Sequence, residues 1–172
     1  MPEKIKLALL WHMHQPFYKD SLRGFLEMPW VRLHALKDYW GMVAMLEDFP
    51  LARVTFNMVP SLLSQIEEFL AHPEIDPLFT LAFQPVSSLS DEQKLSMLEN
   101  FFQANFDHQI ARFPRFEELF QRAQLSQTPD SMTGLRQFGA QDLLDLQVLS
   151  QLCWIDEIYL ARDVVTRSLV EK

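Results

Sequence analysis

Glycine and cysteine are both scarce in this chain. Only 4 of its 172 residues are glycine, whereas 14 are phenylalanine. An all-β sandwich needs many tight turns, in which glycine is favoured, so this balance favours packed helices. The only cysteine is Cys153, which excludes an intrachain disulfide and makes a reducing compartment the simpler assumption. We therefore expect a cytoplasmic protein.

Positive charge and long apolar runs are also in short supply. The chain has 15 Lys and Arg residues against 23 Asp and Glu residues, a formal net charge of -8. This balance argues against a nucleic-acid partner, because neutralising phosphates requires a basic cluster. The first apolar run extends only from Leu7 to Trp11, too short for a signal-peptide core or a membrane span. No membrane partner is expected, whereas a neutral polyol such as a sugar is compatible with this composition.

The first part of the chain alternates between strand and helix patterns. Ile5 to Trp11 is an apolar run typical of a strand buried on both faces, and Arg53 to Met58 is a β-branched and aromatic second strand. Helical spacing covers Leu33 to Glu47, and a second helix begins near Pro60. The order strand, helix, strand, helix predicts a βαβ unit with parallel strands.

From about Asp76 onward the pattern is helical. Ser90 and Gln93 have the spacing of a capping box at the start of a helix. The elements predicted after it are a helix from Pro114 to about Gln124, a loop from Ser126 to Gly139, and one or two helices from Asp142 to about Arg167. Composition alone leaves two fold classes open, a self-contained α+β domain with a small sheet or a fragment of a barrel.

Two histidines lie together at the end of the first predicted strand, in Trp11-His12-Met13-His14-Gln15-Pro16. Side chains alternate across a strand, so His12 and His14 are expected to point the same way. The carboxyl ends of strands are where α/β folds place their active sites. Imidazoles and the Gln15 amide both donate and accept hydrogen bonds, which suits a pair of sugar hydroxyls or a metal ion.

Other interpretations of this histidine pair stay open on spacing alone. Backbone groups can satisfy both rings without any ligand. Paired histidines on a strand are also good zinc ligands, which would make the protein a metal-dependent hydrolase. Two ligands are too few for such a site, and the nearest candidates for a third are Asp20, His34 and Asp38. A further alternative is a non-catalytic module whose helices after Asp76 bind a partner chain.

The histidine-containing stretch, with Phe17-Tyr18 and Asp20 soon after it, resembles the first conserved region of glycoside hydrolase family 57, which is built around His-Gln-Pro. The resemblance extends over two further motifs, Pro29-Trp30-Val31-Arg32-Leu33-His34-Ala35-Leu36-Lys37-Asp38-Tyr39 and Thr55-Phe56-Asn57-Met58-Val59-Pro60-Ser61-Leu62-Leu63. Asp142-Leu143-Leu144-Asp145-Leu146-Gln147-Val148 is similar to a helix that some members carry. Three ordered motifs are much more specific than one His-x-His, and they disfavour the metal site.

The resemblance implies an α/β fold: the amino-terminal portion of a seven-stranded β/α barrel, with two parallel strands and a large helical region. Residues 1–75 would begin the barrel, and residues 76–172 would form a helical insertion or subdomain. Family members act on α-1,4- or α-1,6-linked glucans as retaining amylases, glucanotransferases, branching enzymes or pullulanases. No cofactor and no metal is implied.

The resemblance also implies where the catalytic carboxylates lie. Retention of anomeric configuration needs two carboxyl groups about 5–5.5 Å apart, one a nucleophile and one an acid/base. In the family this Glu and Asp lie on later strands, in motifs that these 172 residues do not contain. We therefore expect no catalytic residue in this segment, no activity of the chain alone, and a catalytic portion on the same chain or on another one.

Substrate-binding residues carry over from the first two motifs. His12, His14 and Gln15 are expected to donate and accept hydrogen bonds near the sugar at the cleavage point. Trp30 either stacks on a sugar face or is a core aromatic beside Pro29. The α-glucan is thus the partner that the resemblance implies.

The resemblance also implies sugar binding by Arg32, His34 and Asn57. For Arg32 and Asn57, a structural role is the alternative. Arg32 and His34 are expected in the loop that leads into the first helix. Arg32 is expected either to contact sugar or to pair with Asp38 or Glu27. Asn57 ends the second strand, where it either contacts sugar or caps the helix that follows.

Overall fold

The computed structural model describes residues 5–125 and 131–170, which form a mostly helical structure with one small sheet. The strands are β1 (Leu9–Met13) and β2 (Val54–Met58). The α-helices are, in chain order, α1 (Trp30–His34), α2 (Trp40–Met45), α3 (Pro60–Ala71), α4 (Pro77–Phe83), α5 (Asp91–Asn100), α6 (Pro114–Leu125), α7 (Ser131–Leu135), α8 (Ala140–Leu152), α9 (Glu157–Arg162) and α10 (Val164–Val170). Short π-helical segments cover Ala35–Tyr39 and Phe106–Ile110, and single 3-10 turns cover Leu46–Asp48, Pro73–Ile75 and Val86–Ser88.

The strands β1 and β2 pair in parallel, as the strand and helix pattern predicts, with His12 opposite Asn57. The predicted start of the first strand is wrong, because β1 covers Leu9–Met13 and does not begin at Ile5. The ladder with β2 begins at the pair Leu9 and Val54 and includes no residue before them. His12 therefore lies within the strand.

The sheet buries one of its two faces. Met13 is 2% exposed and packs with Val31 of α1 and Leu62 of α3. Leu10 is 62% exposed on the opposite face, so the prediction of a strand buried on both faces is wrong. The reason is that, in the part of the chain described, helices cover only the side of the sheet that carries Met13. The side that carries the histidines is open.

The first long helix consists of α1, a π-helical turn and α2 in direct succession. It begins at Trp30 and not at the predicted Leu33, because Pro29 occupies the cap position, where its missing N–H costs nothing. Arg32 and His34 consequently lie inside α1, and the prediction of a loop position for both is wrong. The π turn that follows changes the helical register, as such turns often do at functional sites.

Local signals predict the first helices of the second half well. Ser90 and Gln93 form the predicted capping box at the start of α5, with reciprocal hydrogen bonds of 2.8 and 3.2 Å. The predicted helix from Pro114 is α6. Helical periodicity predicts four inward residues in it, of which Phe116 and Leu119 are fully buried and Phe120 and Ala123 are half-buried.

The last third of the chain has more helices than its pattern predicts. The predicted loop from Ser126 to Gly139 is wrong in part, because it contains α7; its residues 126–130 lie outside the described residues. One or two helices were expected from Asp142 onward, whereas the described residues form α8, α9 and α10. Asp156 and Asp163 each accept a backbone N–H bond from two or three residues ahead, so each starts a new helix.

A larger and a smaller hydrophobic cluster hold the described residues together. The larger cluster lies among the helices of the second half, around Phe116, Leu119 and Leu146. It includes Leu33 of α1, so it also ties the first long helix to this region. The smaller cluster lies between the sheet and helices α1 and α3. None of the described helices combines the length and apolar character that crossing a membrane would require.

Candidate functional site

The histidine pair lies on the open face of the sheet. The His12 and His14 rings stack with centroids 5.7 Å apart and planes 14° apart, so both point the same way, as strand alternation predicts. Both residues are exposed, and so is Asn57, which lies opposite His12 on β2. Residues paired across strands carry their side chains on the same face. This end of the sheet therefore presents two imidazoles and an amide to solvent.

Gln15 is buried next to the histidine pair and is 8% exposed. Its Nε2 donates to Tyr39 Oη at 2.9 Å, and its Oε1 accepts from Tyr18 Oη at 3.0 Å. The Tyr39 hydroxyl also lies 2.8 Å from the backbone oxygen of His14. Burial raises the pKa of both tyrosines, so both hydroxyls keep the proton that these bonds need. The Gln15 amide thus supports the strand end that carries the histidines, and its contact with sugar stays a prediction.

The loop after β1 is fixed by Gln65, a fully buried polar residue of α3. Its Nε2 donates to the Pro16 backbone oxygen at 2.9 Å, and its Oε1 accepts from the Tyr18 N–H at 2.7 Å. Sequence reasoning missed this residue, because it stands beside Glu67 and Glu68 and shares their polarity. Only its contacts with a loop far away in sequence distinguish it from them.

His34 is anchored by Asp38, which lies one turn later in the same helix. The His34 Nδ1 lies 2.5 Å from Asp38 Oδ2, and Lys37 Nζ lies 2.9 Å from the other carboxylate oxygen. The bond to His34 is the main cause that holds the pKa of Asp38 below its ordinary value, and Lys37 contributes further. The Nδ1 nitrogen is thus occupied, and Nε2 is the nitrogen of His34 that a ligand can reach.

Arg32 is 6% exposed and lies away from the open surface. Its Nε donates to Asp76 Oδ2 at 2.8 Å, and its Nη1 donates to Gln151 Oε1 at 2.7 Å. The predicted pairing with Asp38 or Glu27 is therefore wrong, and the expected sugar contact stays a prediction. A buried guanidinium needs a partner that is itself out of water, and Asp76 is 1% exposed, whereas Asp38 and Glu27 lie nearer to solvent.

Asn57 does not cap α3, contrary to one of its two expected roles. The cap position belongs to Val59, which makes no side-chain capping bond, and Pro60 follows it at the first helical position. Proline has no N–H there to satisfy, so the helix needs one cap bond fewer. The capping prediction is wrong, and Asn57 stays on the exposed face of the sheet beside His12.

Trp30 contributes to the core and also lines an open cleft of about 610 Å³. The cleft is lined by Tyr18 from the loop after β1, Trp30 and His34 from α1, and Asn105, Gln109 and Trp154 from the second half of the chain. The Trp30 ring centroid is 5.8 Å from that of Trp154 and 6.1 Å from that of His34. Sequence reasoning missed Trp154, because its neighbours in the sequence are apolar and it therefore resembles an ordinary core residue.

The described residues contain no group of three or more His, Cys, Asp and Glu side chains that could hold a metal ion. Of the candidate third ligands, Asp20 accepts backbone bonds within its own turn. His34 and Asp38 bond to each other. None of these contacts brings a third ligand to His12 and His14.

Comparison with protein-family models matches residues 8–152 to the model described as glycosyl hydrolase family 57. The match begins just before β1 and ends with α8, so it includes the sheet, the histidine pair and most of the helical region. No curated protein sequence matches the chain, and no solved structure matches it either.

Proposed function

Because the chain belongs to glycosyl hydrolase family 57, we propose that it supplies the amino-terminal, sugar-binding part of a retaining enzyme that hydrolyses or transfers α-glucans. The substrates would be starch, glycogen or maltodextrin. The catalytic Glu and Asp would come from later strands, on the same chain or on another one. Residues 1–75 would begin the seven-stranded barrel that these later strands complete.

The exposed histidine pair at the end of two parallel strands is the observation that carries this proposal. A glucose unit offers neighbouring hydroxyls, each of which both donates and accepts a hydrogen bond. Two stacked imidazoles with centroids 5.7 Å apart, and the Asn57 amide beside them, offer complementary donors and acceptors on one surface. A neutral imidazole donates from one nitrogen and accepts at the other, so each ring can bind a hydroxyl in either sense.

The role we assign to His12 and His14 is positioning of the reacting sugar. A retaining mechanism requires the glycosidic bond to lie between two carboxyl groups about 5–5.5 Å apart. Holding the sugar in that orientation is itself a large part of catalysis, because it removes the entropy cost of alignment. The Gln15 and Tyr39 bonds hold the backbone that carries the histidine pair.

Cys153 takes no part in this chemistry. Burial raises the pKa of its thiol to about 12, so it is protonated at neutral pH and is a poor nucleophile. A lone buried thiol agrees with the cytoplasmic location that we propose.

Replacing His14 by Ala in the enzyme that includes the catalytic carboxylates tests the proposal. We expect kcat/KM on maltooligosaccharides to fall about 10- to 100-fold, the effect of one lost hydrogen bond to a bound sugar. The unfolding midpoint should stay unchanged, because the ring is exposed. The same result is expected for His12→Ala.

Thr55→Ala is the matched control for both variants. Thr55 is also exposed, and it precedes Asn57 by two residues, so its side chain lies on the same face of β2. Its replacement should leave kcat/KM unchanged. Normal kinetics in both histidine variants would remove the site assignment.

A further inference from the structure

The cleft beside α1 joins parts of the chain that are far apart in sequence. Trp30 and His34 of α1 line it together with Gln103, Asn105 and Trp154 from the second half of the chain. Its volume of about 610 Å³ lies within the range of roughly 300–1,000 Å³ that is typical of ligand sites. None of the described residues that line it is Asp, Glu, Lys or Arg. Such a lining suits a ligand without charge.

The aromatic rings of the cleft are set at an angle to each other. Trp30 and Trp154 have planes 52° apart, and the His34 ring meets Trp154 edge-on at 5.3 Å and 78°. Trp154 is 8% exposed and backs the cleft, while the half-buried Trp30 keeps more of its ring open. The bond from Asp38 to His34 holds the third ring in place. Rigid apolar ring faces of this kind are well suited to pack against the C–H faces of sugar rings.

The cleft also has polar lining residues, which are held by hydrogen bonds to the backbone. Gln103 and Asn105 are exposed and supply neutral amides. The buried Gln109 accepts the Asn105 N–H at 2.9 Å and donates to the Cys153 backbone oxygen at 3.0 Å. This residue therefore clamps the rim to the backbone immediately before Trp154. Aromatic rings and side-chain amides thus line the same cleft.

We propose that this cleft is a second sugar-binding subsite, separate from the histidine pair, which binds further units of an α-linked glucan chain. The identity of the sugar rests on the proposed function. An α-1,4-linked chain curves, so that the faces of successive rings are tilted, whereas a β-1,4-linked chain is a flat ribbon. The open Trp30 ring stands at 52° to the buried Trp154 ring that backs it, so the aromatic surface of the cleft is angled and not flat, which fits the curved chain. Tyr18 lines the cleft and bonds to Gln15, so it connects the subsite to the histidine pair.

Titration of the 172-residue chain with maltoheptaose tests the subsite, with cellohexaose as the β-linked comparison. We expect binding of maltoheptaose and at least tenfold weaker binding of cellohexaose by isothermal titration calorimetry. Trp30→Ala should weaken maltoheptaose binding about tenfold, the size of one aromatic contact. Trp40→Ala is the matched control, because this indole is 38% exposed and lies outside the cleft lining.

Gln103→Ala gives a second measurement that does not depend on the core, because this side chain is exposed at the cleft rim. It should weaken maltoheptaose binding several-fold without changing the unfolding midpoint. His14→Ala should leave most of the binding at the cleft intact. No binding by the wild-type chain, equal binding of both oligosaccharides, or unchanged binding in Trp30→Ala and Gln103→Ala would each overturn the subsite. Binding that is lost in His14→Ala but kept in Trp30→Ala and Gln103→Ala would overturn the subsite and leave the proposed function standing.

Discussion

At the scale of single residues, burial separates the side chains that can meet a ligand from those that hold the others in place. Gln15 and Arg32 belong to the same motifs as His14 and His34, yet both are buried and bonded to protein groups. His14 is exposed, and His34 lines the open cleft with one nitrogen held by Asp38. The polar residues of these motifs therefore divide into exposed and supporting groups.

Replacing Asp38 by Asn should remove a pH-dependent part of the stability. In the folded chain the pKa of Asp38 lies below its ordinary value of 3.8, mainly because of the bond from His34. A carboxylate with a lowered pKa stabilises the fold above its unfolded pKa, and this contribution is lost as the pH falls through the folded pKa. The difference in unfolding free energy between wild type and Asp38→Asn should thus shrink below about pH 4. Urea unfolding at a series of pH values measures it.

The companion variant for this measurement is His34→Ala. Removing the ring takes away the main cause of the lowered pKa, so Asp38→Asn should have a weaker pH dependence in that background. A difference between wild type and Asp38→Asn that stays constant down to pH 3 would contradict the assigned role of the bond.

At the scale of elements, the first long helix packs closely against the turn between α8 and α9. Gly41 in α2 is buried, and a Cβ at this position would come 2.1 Å from Asp156 Oδ2. Asp156 has little freedom to move, because its other carboxylate oxygen accepts the Ile158 N–H at 2.8 Å to start α9. Glycine is therefore needed here for close approach, even though it is a poor helix former.

Gly41→Ala should destabilise the protein by about 1–3 kcal/mol, the usual effect of overpacking. This change in unfolding free energy is opposite in sign to the change at an exposed position inside a helix, where Gly→Ala stabilises the helix by up to about 1 kcal/mol. Chemical denaturation gives the free energy of unfolding. In the control Gly139→Ala the nearest atom lies 3.6 Å from the new Cβ, so the change should stay below about 1 kcal/mol. A more stable Gly41→Ala variant would refute the packing argument.

At the scale of the whole molecule, a buried ion pair links the sheet-bearing part to the helical part. Arg32 and Asp76 are 5% and 1% exposed at their side chains, and Asp76 also accepts the Phe79 N–H to start α4. The Arg32 guanidinium carbon lies 5.1 Å from the centroid of the Phe79 ring. The division into residues 1–75 and 76–172 stays a prediction, and this ion pair crosses it.

Arg32→Met should cost about 3–5 kcal/mol of unfolding free energy, because it leaves the Asp76 carboxylate buried without its cation. Denaturant unfolding of both proteins measures the loss. Arg23→Met serves as the control, since Arg23 is 69% exposed and its pair with Asp20 should contribute less than about 1 kcal/mol. Equal small losses in both variants would show that the Arg32 pair does not hold the two parts together.

Local sequence patterns predicted the order of the first elements, the capping box and the direction of the histidine pair, but not the bounds of β1 and α1 or the helices α7, α9 and α10. The capping box at Ser90 and the shared face of His12 and His14 follow from geometry between near neighbours, and the parallel strands follow from the order strand, helix, strand. Hydrogen bonding to the next helical turn and alternation along a strand act over a few residues, so spacing alone carries the information.

Only the tertiary structure decided which side chains meet across the chain. Arg32 pairs with Asp76, 44 residues away, and Trp30 meets Trp154 from the far end of the fold. These contacts depend on burial and on how all the helices pack together. The spacing of residues along the sequence therefore does not predict them. The chain thus determined by itself where its imidazoles point, and the fold determined what surrounds them.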